Sequence, residues 1–144
     1  MPSYTSPKAI TAYYDALTKP VNAQMDTTKA EYKAQNKALA NEKAAADAQA
    51  YRSHQRQMRM FPSIASASGA HGGMVQSALG YQNAAYQQGR ADRDVQYQQS
   101  KDALLRNYNA TLDQLRAQAA QYKGLADADK AELEYLKANG TNSL

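Results

Sequence analysis

Apolar and semi-apolar side chains recur along the first part of the chain at steps of three and four. Ile10, Tyr14, Leu17, Val21, Met25, Thr28, Tyr32 and Leu39 therefore fall on one face of an α-helix. Within this series Ile10, Val21 and Tyr32 are eleven apart, as are Tyr14 and Met25, and Leu17, Thr28 and Leu39. A repeat of eleven fits a nearly straight or slightly right-handed helix pair better than the left-handed heptad coil. Beyond Leu39 the stripe thins to Ala44, Ala45, Ala46, Ala48 and Ala50. Alanine permits close helix approach and buries little area. Ser6 before Pro7 reads as a helix start. Pro20 predicts a kink or short break near Lys19, because it removes one backbone donor and crowds the preceding turn. Met58, Met60, Phe61 and Ile64 form an apolar knot, and Pro62 is expected to stop the helix there.

Ser63 to Gly73 is small and Gly-rich, and helix should resume near Met74. The second stripe comprises Val75, Leu79, Tyr86, Tyr97, Leu104, Tyr108, Leu112, Leu115, Ala119 and Tyr122. Gly80 and Gly89 weaken its first part, each by about 1 kcal/mol relative to Ala. Gly124 predicts a break. Leu125 to Ala138 then reads as a short third helix, with Asp127 and Asp129 in its first turn and Lys137 in its last. Asn139-Gly140 supplies the stop.

The pattern thus predicts an all-α chain in six pieces. These are an extended arm (1–6), a first helical arm kinked near Pro20 (7–60), a Gly/Ser-rich hinge (61–73), a second helical arm (74–123), a short C-terminal helix (124–140) and a loose tail (141–144). The hinge residues are Pro62, Gly69, Gly72 and Gly73. Two arms of similar length around one Gly-rich break favour a long antiparallel helical hairpin; a continuous bent rod is the alternative. Strand signals are lacking.

Composition sharpens this picture. The chain has 144 residues, no Trp, one Phe, eleven Tyr and no Cys, with a mean hydropathy of -0.77. Ala, Gln, Lys, Glu, Arg and Leu are good helix formers, so the polarity reads as folded helix rather than disorder. The apolar stripe is too poor to close a globule, and completion by oligomerisation is expected. Tyrosine buries much area while keeping a polar handle, which suits wet contacts between subunits and equally lets it stand in for Leu in a modest two-helix core. Tyr32, Leu39, Tyr86, Tyr97, Leu104, Tyr108, Leu112, Leu115 and Tyr122 are the expected subunit-interface positions. Lack of Cys removes disulfides and thiolate metal sites, and no apolar run approaches the roughly 20 residues a bilayer span requires. The first residues lack the basic start and apolar stretch of a signal peptide, so cytoplasmic synthesis is expected.

Candidate chemistry is sparse. Arg52, Arg56 and Arg59 fall on one helix face beside His54 and form a candidate nucleic-acid contact; a solvated face, or pairing with acidic residues of a neighbouring subunit, is the alternative. The net charge of +4 is compatible with that partner without demanding it. His54 and His71 have no Glu or second His at ligand spacing, so no metal site is expected. The Gly-rich segment before Met74 has no preceding strand and lacks the Lys-Ser/Thr ending of a P-loop. Scattered carboxylates and hydroxyls form no acid/base pair or triad pattern. No catalytic residue, cofactor or small-molecule substrate is expected.

The segments Gly69 to Leu79, Tyr81-Gln82-Asn83 and Leu104 to Leu115 resemble small virion proteins of tailed bacteriophages. Those combine a long polar helix, a Gly-rich turn and a Gln/Ala/Tyr-rich helix that ends in a regular Leu stripe. Related turns often carry an acidic residue before the Ser; Gln76 stands here instead. The likeness spans residues 25 to 123 and rests on composition and order of elements. It implies a multi-copy, non-enzymatic structural protein of the portal, neck or head-tail region, made in the host cytoplasm and carried in the virion. Its implied partners are copies of itself, other virion proteins and packaged DNA. Ejection proteins are similar in their Ala/Gln-rich helices. They imply an alternative in which the chain leaves with the genome, lines a conduit and associates with a membrane. A nucleic-acid-binding packaging accessory is the other alternative.

Overall fold

A computed structural model describes residues 6–67, 69 and 72–140, with the backbone alone at 62–67 and 140. Two helices, α1 (Pro7–Ala67) and α2 (Gly73–Gly140), form an all-α hairpin, and the described residues include no strand. Ser6 caps α1 as its sequence suggests. Its Oγ accepts the Ala9 N–H at 3.2 Å, and its carbonyl accepts the N–H groups of Ala9 and Ile10.

The expected stops at Pro62 and Gly124 are absent, and the helix is not broken at Pro20. α1 runs through Pro20 and continues past Pro62 to Ala67, and α2 runs through Gly124 to Gly140. The short C-terminal helix is therefore the end of α2, and Pro62 and Gly73 lie within helices rather than in the hinge. Pro20 and Ala16, whose carbonyl loses its partner, are both on the exposed face. Water can satisfy that carbonyl while half-buried Leu17 and buried Val21 hold the opposite side. Gly124 is likewise solvent-facing, between half-buried Tyr122 and buried Ala126, whose contacts hold the helix across it.

The turn keeps Gly69 and Gly72, with φ of 79° and 55°. This is left-handed backbone that side-chain-bearing residues resist. The Gly72 carbonyl accepts the Gln76 N–H at 3.2 Å and opens α2. The arm at 1–5, the tail at 141–144 and His71 lie outside the described residues.

The chain divides into two compact units. One joins the start of α1, up to Tyr32, to the end of α2 from Leu105 on. It holds the four buried side chains Ile10, Val21, Leu112 and Ala126. Half-buried Tyr14, Leu17, Met25, Thr28 and Tyr32 continue the α1 stripe here. Thr28 is tolerated because its hydroxyl donates to the Gln24 carbonyl at 2.8 Å. Across the unit, Tyr32 stacks on Tyr108 with ring centroids 4.2 Å apart, and the Tyr14 hydroxyl donates to Asp129 Oδ2 at 2.7 Å.

The other unit is Lys33–Leu104. Its α1 stripe continues at the same spacing with Asn36, Leu39, Lys43, Asp47, Ala50, His54, Met58 and Phe61, all half-buried. The repeat of eleven read between Ile10 and Leu39 thus persists to Phe61, with polar residues taking apolar places.

Gly80 and Gly124 sit in open surroundings at helical angles, with nothing within 4 Å of an added Cβ. Gly80→Ala and Gly124→Ala are each expected to stabilise the helix by about 1 kcal/mol, read as a higher midpoint in urea followed by circular dichroism. Gly69→Ala and Gly72→Ala should lower that midpoint, because their positive φ is retained only with strain.

Candidate functional site

The most organised polar chemistry lies in the Lys33–Leu104 unit, inside the stripe. Lys43 and Asp47 are one helical turn apart and joined at 2.9 Å. From α2, Asp94 Oδ1 meets Lys43 Nζ at 2.7 Å, and Arg93 Nε donates to Asp47 Oδ1 at 2.7 Å. The Lys43 ammonium also stands 5.6 Å from the Tyr97 ring centre, and Lys101 stands 5.5 Å from it. A shallow cleft of about 180 Å³ opens beside this group, lined by Leu39, Glu42, Lys43, Ala46, Arg93, Gln96, Tyr97 and Ser100.

The charges balance one another. Bonds to Asp94 and then Asp47 raise the Lys43 pKa above its ordinary value, and bonds from Arg93 and then Lys43 hold the Asp47 carboxyl below the usual carboxylate range. Asp47 therefore stays ionised through the neutral range and has no proton to donate there. What the arrangement does is align the arms: a slip of α2 by one residue would separate both interhelical pairs at once.

Three contacts mark that alignment. Tyr32 faces Tyr108, Lys43 faces Tyr97, and His54 stacks on Tyr86 at 4.2 Å. Each step of eleven along α1 is answered by a step of eleven back along α2. Among the expected interface residues, Leu112 is buried, and Tyr32, Leu39, Tyr86, Tyr97, Leu104, Tyr108, Leu115 and Tyr122 are half-buried. Tyr32, Tyr86, Tyr97 and Tyr108 make ring and cation contacts within the chain. The large apolar side chains left facing solvent are different ones: Tyr13, Tyr51, Met60, Met74, Tyr81, Val95, Leu105, Leu125, Tyr135 and Leu136.

Arg52, Arg56 and Arg59 are exposed and line a groove of about 350 Å³ with Tyr51 and Gln55. The described residues include no group of three or more His, Asp or Glu able to hold a metal ion, and no helix long and apolar enough to cross a membrane.

The polar cluster escaped the sequence reading. A signal was present: Lys43 and Asp47 continue the Val21–Tyr32 and Met25–Asn36 spacings and form an i,i+4 pair. Comparison with family models, curated proteins and solved structures found no match to this chain.

The cluster makes folding pH-dependent at both extremes. Asp47, with a lowered pKa, stabilises the fold above its ordinary 3.8, and this contribution fades as pH falls through the lower folded value. Lys43, with a raised pKa, stabilises below its ordinary 10.5, and its contribution fades as pH climbs through the higher folded value. Thermal melts across pH should show both losses. Asp47→Asn should flatten the acid limb and Lys43→Gln the alkaline limb.

Proposed function

We propose that the chain is a non-enzymatic structural component that works in many copies, its helical hairpins completing one another's apolar surface. A tailed-phage virion, at the portal, neck or head-tail region, is the setting its sequence resemblance suggests. The observation that carries this reading is burial: only Ile10, Val21, Leu112 and Ala126 are buried among the described residues. Large apolar side chains are exposed in each unit, Tyr13, Leu105, Leu125, Tyr135 and Leu136 in one and Tyr51, Met60, Met74, Tyr81 and Val95 in the other. Such surface is the kind a neighbouring subunit covers, and the exposed Leu105, Leu125, Tyr135 and Leu136 supply apolar anchors for it.

Sedimentation and circular dichroism over a dilution series test the proposal. The chain should associate at tens of micromolar, and should dissociate and lose helicity on dilution. Leu125→Gln/Leu136→Gln should raise the dissociation midpoint about tenfold or more. A monomer that melts sharply and identically at every concentration would refute it.

A further inference from the structure

The modest net charge conceals an uneven distribution. Residues 48–91 contain Arg52, Arg56, Arg59 and Arg90 and not one Asp or Glu. Setting those four aside leaves thirteen basic and thirteen acidic residues elsewhere, so the entire +4 belongs to this stretch. The chemistry differs too. All four cations here are arginines, whereas ten of the other thirteen are lysines. Arginine presents a planar fork that meets phosphate oxygens two at a time.

Structure gathers three of these cations. Arg52, Arg56 and Arg59 follow one face of α1 over about 10 Å of helix. None of the four arginines joins an ion pair among the described residues. Tyr51 stands beside the row, 52% exposed, and its hydroxyl accepts a hydrogen bond from Gln55 Nε2 at 3.0 Å. The groove these five residues line carries no aliphatic side chain.

We propose that this groove binds single-stranded nucleic acid. Arg52, Arg56 and Arg59 neutralise backbone phosphates, and the Tyr51 ring packs against an unpaired base. A helix that lies on an anionic membrane needs a broad apolar face next to its cations, and beside this row only Tyr51 and Met60 expose large apolar side chains. The proposal stands whether or not the chain assembles with copies of itself.

The test uses the full chain and a fluorescein-labelled 20-nucleotide single strand, read by anisotropy. Three phosphate contacts predict that raising salt from about 50 to 200 mM weakens binding about 20-fold. Arg52→Gln/Arg56→Gln/Arg59→Gln should weaken it at least about tenfold at low salt, with helicity by circular dichroism unchanged. Lys8→Gln/Lys19→Gln/Lys29→Gln removes as many exposed charges from the other unit and should leave most of the affinity in place. Tyr51→Ala should weaken single-strand binding without altering the salt slope. The proposal fails if the strand does not bind at low salt, if both triple variants lose equally, or if a duplex binds as tightly. It also fails if the chain floats with phosphatidylglycerol vesicles while ignoring the oligonucleotide.

Discussion

Eleven residues of α-helix make close to three full turns, so a stripe repeating every eleven stays on one side of a helix with little supercoiling. This constraint organises the whole hairpin. It lets α1, from Ile10 to Phe61, keep one row of side chains toward α2 within each unit. It also dictates which residues meet, because Tyr32, Lys43 and His54 come up at the same phase as Tyr108, Tyr97 and Tyr86. The repeat specifies where contacts fall and leaves open what they are made of. An apolar place can pass to Lys43 or Asp47 without disturbing the geometry, provided the partner strip offers Asp94 and Arg93.

That substitution of polar for apolar contact has an energetic cost. Stacked tyrosines contribute about 0.5–1.5 kcal/mol beyond their burial. Partly exposed ion pairs contribute less, because solvent screens them and long side chains must be ordered. Among the described residues Gln82 Oε1 and Arg93 Nη2 are buried with no hydrogen-bond partner, which offsets some of the gain. A two-helix pair of this composition is well specified and weakly held. Register is demanded by charge and ring pairs, while cohesion rests on few buried side chains.

The hairpin was legible in the sequence because periodicity and the Gly-rich break are both local signals. The stops were not. Pro20 and Gly124 weigh against helix in any local reading, yet their effect depends on which face of the helix they occupy. Both fall on the solvent side, flanked by Leu17 and Val21 in one case and by Tyr122 and Ala126 in the other. The polar cluster was harder still. Lys43 and Asp47 read as ordinary surface charge unless the repeat of eleven is carried past Leu39, where its apolar members give out. Their spacing marks the tyrosines as contact residues; that Tyr32, Tyr86, Tyr97 and Tyr108 meet partners in their own chain depends on register, which no single arm contains.

Charge placement follows a logic separate from packing. Inside the stripe, carboxylates accompany cations: Asp47 and Asp94 bracket Lys43, and Arg93 is paired. On the outer face of the same unit, Arg52, Arg56 and Arg59 carry no such partners. If those arginines served only solubility, lysine and nearby acid would do as well, as they do over the rest of the chain. A row of unpaired forks held on rigid helix, with a tyrosine fastened alongside, instead concentrates positive potential where a polyanion can reach it. The helix contributes the spacing and the missing carboxylates contribute the field, so this row of charge lies apart from the ion pairs that join α1 to α2.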